Sequence, residues 1–388
     1  MALVKLKDVV MRVKDKVDRD TADLDFYIGG EHFDYAEICI SRRGVIQGST
    51  IGPAFHMRFQ PGDVLLMSRN PHLRKAGVVD FEGICSDVSY VCRTKDESVL
   101  LQRYLPFIFQ TDHFWDFAES NKKGSTNFFL NWSDFEKYEF NLPPIEIQRE
   151  LTELLWAAEN TKLAYIDLLR QTDELVKSQF IEMFGSPVTN PKGWPTMSMK
   201  EASVRLSDGP FGSNLKSEHY APEGVRVIRL QNICDGYFLD NDKAYVSFEH
   251  YEKIKKYTCH AGDIIIGTLG DPNLRACLIP EYIPIAINKA DCVHYIPKPE
   301  LLDKGFVCGF LNSPLTLQMA VGEAHGNTRQ RISSGQISQF PIILPPLELQ
   351  REYSAFVEQS DKSKFELKQA IERVTNLMKS LMQQDFVN

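Results

Sequence analysis

Seven short segments of this 388-residue chain gather the side chains that hydrogen-bond to nucleic-acid bases and phosphates. In the first half they are Ser41-Arg42-Arg43-Gly44, Ser68-Arg69-Asn70-Pro71-His72-Leu73-Arg74-Lys75 and Asn121-Lys122-Lys123-Gly124-Ser125-Thr126-Asn127. In the second they are Ser213-Asn214-Leu215-Lys216, Arg229-Leu230-Gln231-Asn232, Asn288-Lys289 and His325-Gly326-Asn327-Thr328-Arg329-Gln330-Arg331. Arginine and lysine suit guanine edges, asparagine and glutamine suit adenine, and serine, threonine and lysine hold a phosphate backbone in register. Any one segment is equally well a solvated turn, and Arg229, on an alternating apolar run, reads as well as a structural ion pair. Gly124 and Gly326 carry more weight because they sit at matching places beside polar and basic residues in both halves.

Catalytic patterns fail one by one. Gly262-Asp263-Ile264-Ile265-Ile266-Gly267-Thr268 has the glycine spacing of a phosphate loop but no lysine before the threonine, and its apolar run reads as a strand. Neither Asn141-Leu142-Pro143-Pro144-Ile145 nor Asp271-Pro272-Asn273-Leu274 has the Pro-Pro-aromatic continuation of an adenine methyltransferase motif. The nine histidines form no His-x-x-x-His pair, and Cys259-His260 alone is a poor zinc site. The eight cysteines include no Cys-x-x-Cys pair and read as reduced, mostly buried thiols. No metal site is expected.

The elements that must position these loops come from a duplication. Leu142-Pro143-Pro144-Ile145-Glu146-Ile147-Gln148-Arg149-Glu150 returns 202 residues later as Leu344-Pro345-Pro346-Leu347-Glu348-Leu349-Gln350-Arg351-Glu352. Each copy opens a heptad-patterned segment. The first seam is Ile147, Leu151, Leu154, Ala158, Thr161, Tyr165, Leu168, Thr172 and Leu175. The second is Leu349, Tyr353, Phe356, Ser360, Ser363, Leu367, Ala370, Val374 and Leu377. Proline is tolerated in a first helical turn, and Gly185-Ser186-Pro187 supplies a stop. Roughly 40 residues at 1.5 Å each make a rod of about 60 Å. A lone amphipathic helix is unstable in water, so the two are expected to pair as an antiparallel coiled coil, with one globular domain at each end and approximate two-fold symmetry.

The globular segments alternate short apolar runs with Gly, Pro and Asn turns and read as mixed α/β, an α+β fold rich in strand. The expected domains are 1–143, a helix over 144–185, 186–343, and a helix over 344–388. Phe59-Gln60-Pro61-Gly62-Asp63-Val64-Leu65-Leu66 parallels Cys259-His260-Ala261-Gly262-Asp263-Ile264-Ile265-Ile266, a turn before a buried strand. The net charge of −8 argues against coating nucleic acid non-specifically. Residues 144–185 carry eight acidic and four basic residues, and 347–388 seven and six, so the helices hold −4 and −1 and the globular parts about −3. No run of about 18 apolar residues could span a bilayer, and no secretory signal opens the chain, so a cytoplasmic location is expected.

Variable domain, Leu-Pro-Pro-x-x-x-Gln-Arg-Glu helix, second variable domain and second such helix resemble the specificity subunits of type I restriction–modification systems over nearly the whole chain. Phe211-Gly212-Ser213-Asn214-Leu215-Lys216, Val227-Ile228-Arg229-Leu230-Gln231-Asn232-Ile233 and Lys192-Gly193-Trp194 add to the resemblance. It implies a non-catalytic DNA-recognition subunit with two target recognition domains, each reading one half of a split, asymmetric site on double-stranded DNA. The helices would set the gap and dock two methyltransferase subunits, which translocase–nuclease subunits join. S-adenosylmethionine would then belong to the methyltransferase, ATP and Mg to the nuclease, and no cofactor to this chain. A non-catalytic protein–protein scaffold is the alternative, and a metal-dependent nuclease a weaker one.

Overall fold

The computed structural model describes residues 2–19, 21–270, 273–323 and 331–387. They form an α+β fold in two compact units, one of residues 1–167 with 367–388, the other of residues 168–366. No described helix is long and apolar enough to cross a membrane.

In the first unit an antiparallel sheet runs Val10–Val13, Ser89–Thr94, Val64–Met67, Ala76–Val78. A second sheet runs Gly44–Val45, Phe26–Ile28, Gly83–Ser86, Phe55–Phe59, with one parallel pair. The run Val64–Met67 is buried throughout because successive side chains enter different cores. Val64 and Leu66 join Tyr104, Phe107, Phe114 and Leu155, whereas Leu65 and Met67 join Ile28, Phe59 and Val91. Two-sided burial explains why the segment shows no polar alternation. A ribbon of Ala2–Lys5 against Glu139–Leu142 leads into the first long helix, Ile145–Phe184.

The second unit repeats the plan. One sheet runs Ser203–Asp208, Cys292–Pro297, Ile264–Gly267, Ala276–Leu278 in the corresponding order. Ile264 and Ile266 face a core with Phe306 and Tyr353, and Ile265 faces one with Ile228 and Cys277. A five-stranded sheet replaces the four-stranded one, and the ribbon is Thr196–Ser198 against Pro341–Ile343, before the second long helix Leu347–Val387. Gly62 and Gly262 take φ of +89° and +73° in the turns before the central strands. The aspartate after each caps its turn, Asp63 accepting from the Gln60 N–H at 2.7 Å and Asp263 from the His260 N–H at 2.9 Å.

Each unit holds half of each helix, antiparallel. In the second, Asp173 meets Lys364 at 3.1 Å while Phe180 meets Tyr353 with ring centroids 5.4 Å apart, so numbers rise on one helix as they fall on the other. In the first, Leu155 shares a core with Met378 and Met382.

The heptad register needs correction. Of the eighteen named seam positions, Ile147, Leu154, Leu168, Leu175 and Leu377 are 40 to 51% exposed and Thr161 and Ser363 are exposed too, whereas Tyr353 and Ser360 are buried and the other nine are half-buried. The buried line of the first helix runs one residue later, through Gln148, Thr152, Leu155 and Glu159. Three of those four are polar, which hides the line from an apolar count; Glu159 is held by Lys162 at 2.5 Å. The first helix ends at Gly185, whose left-handed φ of +77° lets its N–H reach the Ile181 carbonyl at 2.8 Å.

All eight cysteines are free thiols, six of them buried, and burial pushes Cys39 up to about 11 and Cys85 up to about 12. Such thiols are poor nucleophiles at neutral pH.

Candidate nucleic-acid interface

In the first unit the Gly124 loop and the 68–75 segment are tied together. Ser68 leaves the central strand with its hydroxyl donating to the Val88 carbonyl at 2.7 Å, and its own carbonyl accepts the Leu130 N–H at 2.9 Å. Arg69, the next residue, bridges Phe129, and Phe129 bridges Lys123 through N–H to carbonyl bonds of 2.8 and 2.9 Å. The Asn70 N–H reaches the Phe128 carbonyl at 2.9 Å. Asn70 and Arg74, both left-handed at φ of +51° and +47°, bracket the one-turn helix Pro71–Leu73 that exposes His72.

Gly124 takes φ of +97°, and a Cβ there would lie 2.6 Å from the Asn127 carbonyl oxygen, so only glycine closes this loop. Ser125, Thr126 and Asn127 are exposed at its tip. Lys122 pairs with Glu119 at 2.6 Å and lies over the Phe128 ring, and Lys123 pairs with Asp134 at 2.7 Å. The ammonium groups of Lys123 and Lys137 hold the Asp134 carboxyl below its ordinary range. Arg74 does the same to Asp112, its ion-pair partner, and Lys75 donates to the Gly30 carbonyl at 2.5 Å. Arg42 pairs with Asp34, while Arg43 lies 4.1 Å over Phe26. Arg42, Arg43, Arg74 and Lys75 therefore each have a local partner.

The second unit builds the same corner with different residues. Thr268 takes the place of Ser68, its hydroxyl donating to the Asp291 carbonyl at 3.0 Å and its carbonyl accepting the Ile332 N–H at 3.0 Å. Leu269 bridges Arg331, which pairs with Asp291 at 2.9 Å. Gly209 packs under Asn288 and Lys289, and Asp208 accepts a hydrogen bond from the Ser334 hydroxyl. Those contacts carry the exposed turn of Phe211, Ser213, Asn214 and Lys216 to the same corner. His250 holds the Asn214 carbonyl at 2.9 Å and stacks on His219, whose ring accepts the Lys216 N–H at 3.0 Å.

Two expectations change here. Asn288 is not at the surface: it is fully buried and its amide donates to the Cys292 carbonyl at 2.8 Å, because it ends a strand inside the five-stranded sheet. Lys289, beside it, is half-buried near the Tyr220 ring. Arg229 is paired with Asp242, which decides its two readings for the structural one. His325, Asn327, Thr328, Arg329 and Gln330 lie outside the described residues. Sequence reasoning missed Phe129, Tyr220 and Asp291; only Phe129, next to the Gly124 loop, carried a signal that could have found it.

Replacing Gly209 with alanine is expected to cost about 1–3 kcal/mol, because its Cβ would run into the backbone of Asn288 and Lys289. Gly52→Ala, where a Cβ meets nothing within 4 Å, is the control and should leave the chemical-denaturation midpoint nearly unchanged. Equal midpoints for the two variants would mean that the 208–216 loop is not seated on this strand end.

Comparison with known proteins gives a consistent picture. Residues 214–375 match the family model described as type I restriction modification DNA specificity domain. The specificity subunit of the type I restriction enzyme MjaVIII from Methanocaldococcus jannaschii is 20% identical over 285 residues, 68% of this chain and 66% of that protein. The alignment thus spans just under two thirds of that relative's length. The type I restriction–modification S subunit from M. genitalium superposes with a TM-score of 0.57 at 13% identity, covering 100% of this chain and 96% of that one. A chain from work on complex assembly and conformational transition of the type I R-M system gives 0.60 at 17% identity, covering 99% and 97%. At such identities the likeness to the solved structures is one of fold.

Proposed function

We propose that this chain is a specificity subunit of a type I restriction–modification system, which its match to the DNA specificity domain over residues 214–375 and its likeness to a specificity subunit support, and that it selects the DNA sequence on which partner subunits act. It is a non-catalytic subunit; methylation and cleavage belong to its partners. Each unit serves as one reading head for one half of a split, asymmetric site on double-stranded DNA. The single observation that carries this reading is the repeated corner. In both units a hydroxyl residue at the end of the central strand, Ser68 or Thr268, accepts at its carbonyl an N–H from a later segment, Leu130 or Ile332, and the next residue, Arg69 or Leu269, bridges Phe129 or Arg331. Equivalent scaffolds with different side chains suit a protein that reads two different sequences with one architecture.

The antiparallel packing of the helices within each unit supports a spacer role, and the exposed Leu154, Leu163, Ile166, Leu168 and Leu175 support docking of two methyltransferase subunits along the first helix. Translocase–nuclease subunits complete the assembly in the cytoplasm. S-adenosylmethionine is then held by the methyltransferase and ATP with Mg by the nuclease. The net charge of −8 implies weak DNA affinity for the isolated chain, since phosphate neutralisation dominates affinity and the partners must supply much of it.

Mapping methylated adenines in cells that carry this chain with its methyltransferase tests the proposal. The expected motif is two short unlike sequences separated by a fixed gap. A continuous palindrome, or no motif, would overturn it.

A further inference from the structure

The bridge between strand end and returning loop presents one arginine in each unit, from opposite partners: Arg69 facing Phe129 in the first, Arg331 facing Leu269 in the second. Their surroundings differ. Arg331 is neutralised by Asp291, while Arg69 is exposed and has no side-chain partner among the described residues. The other arginines of the first globular domain are all engaged. Arg42, Arg58, Arg74, Arg93 and Arg103 pair with carboxylates, Arg12 and Arg19 donate to carbonyls, and Arg43 covers Phe26. The lysines of the neighbouring loop are likewise engaged, Lys122 with Glu119 and Lys123 with Asp134.

A rigid guanidinium fork with no side-chain partner among the described residues is matched to an acceptor pair brought by a ligand. The Arg69 backbone is fixed on both sides, by the Ser68 carbonyl bonded to Leu130 N–H and the Asn70 N–H bonded to Phe128. Ser68 points into the core and Arg69, one residue on, points out. A backbone held this firmly suits base reading, which requires fixed register, more than a phosphate contact, which tolerates slack.

We infer that Arg69 reads a guanine, through its O6 and N7 edge, in the half-site of the first unit, and that Arg331, at the matching bridge of the second unit, does not act as its counterpart because Asp291 holds it. This rests on the proposed DNA-recognition function and assigns one base of it to one side chain. A bidentate arginine–guanine contact discriminates against a wrong base by about 5- to 150-fold.

The test uses the complex of this chain with its methyltransferase, on duplexes carrying the mapped motif with each base pair changed in turn. Arg69→Ala is expected to abolish that discrimination at one G·C pair of one half-site, leaving the other half-site and the gap unchanged. Arg69→Lys should keep part of it, and retention of the wild-type melting temperature by either variant establishes that the fold is intact. Uniform weakening at every position, with a shallower salt dependence, would make Arg69 a phosphate contact and overturn the inference. An unaltered motif, or a motif without guanine in either half-site, would overturn it too. A wild-type complex with no split motif would instead overturn the parent function, so the two failures are distinguishable.

Discussion

Phe180→Ala is expected to destabilise the second unit by about 3–5 kcal/mol, the cost of deleting a buried aromatic ring. Phe180 is 1% exposed and sits among Phe184, Phe306 and Tyr353 at centroid distances of 5.0, 5.8 and 5.4 Å. Tyr353 belongs to the second long helix and Phe306 to the globular part, so one ring joins both helices to the core of this unit. Leu154→Ala is the matched comparison. Apolar periodicity placed Leu154 in the helix seam, but it is exposed, so the same truncation should fall within about 0.5 kcal/mol of wild type. Chemical denaturation of the isolated chain separates the two. Comparable losses would restore the register that the apolar count suggested.

The second large effect is expected at the glutamine of the repeated motif. Gln148 accepts the Leu101 N–H at 3.1 Å and donates to the carbonyls of Val99 and Pro143 at 2.8 and 2.9 Å. Gln350 accepts the Asp303 N–H at 2.8 Å and donates to the carbonyls of Leu301 and Pro345 at 3.0 and 2.7 Å. Every partner is displaced by the same 202 residues as the glutamine itself. Both side chains are fully buried, and each fastens the start of a long helix to its globular domain. Gln350→Leu, close to isosteric, leaves three backbone groups without partners at about 1–3 kcal/mol for each buried orphan. A loss of about 3 kcal/mol or more is therefore expected for either Gln148→Leu or Gln350→Leu. Gln350→Glu should be no milder, since it sets a carboxylate against two carbonyl oxygens. Differential hydrogen exchange should find the loss concentrated in the unit that carries the substitution. A change below about 1 kcal/mol in both would show that the motif acts elsewhere, at a partner surface.

The Gln-Arg-Glu motif illustrates what could be read early. Its recurrence was visible in the sequence, and the identical offset of all its partners explains why the recurrence exists: the glutamine satisfies a fixed set of backbone groups that the fold creates twice. The turn before each central strand was legible for the same reason, because Gly62-Asp63 and Gly262-Asp263 solve a local problem of positive φ and unpaired N–H groups with local residues. The seam register was less legible. Thr152 and Glu159 are buried despite their polarity, and Gln148 is enclosed by backbone carbonyls distant in sequence, so polarity and burial part company there.

The candidate interface divides along the same line. Composition picked out the 68–75 and 121–127 segments as separate loops. Only the fold joined them through Arg69, Phe129 and Lys123, and only the fold removed Asn288 and gave Asp291 to Arg331.

The sequence by itself determined the duplication, the order of domains and helices, and the residue types available for reading a nucleic acid, because these follow from repeats, caps and periodicities spanning a few residues. Tertiary structure alone decided which helix face is buried and which arginine of the first globular domain has no side-chain partner among the described residues. Both depend on groups 13 to 75 or more residues away, such as Asp242 for Arg229 and the Asp87 carbonyl for Arg12, and a local pattern carries no record of a partner brought near only by the folded chain.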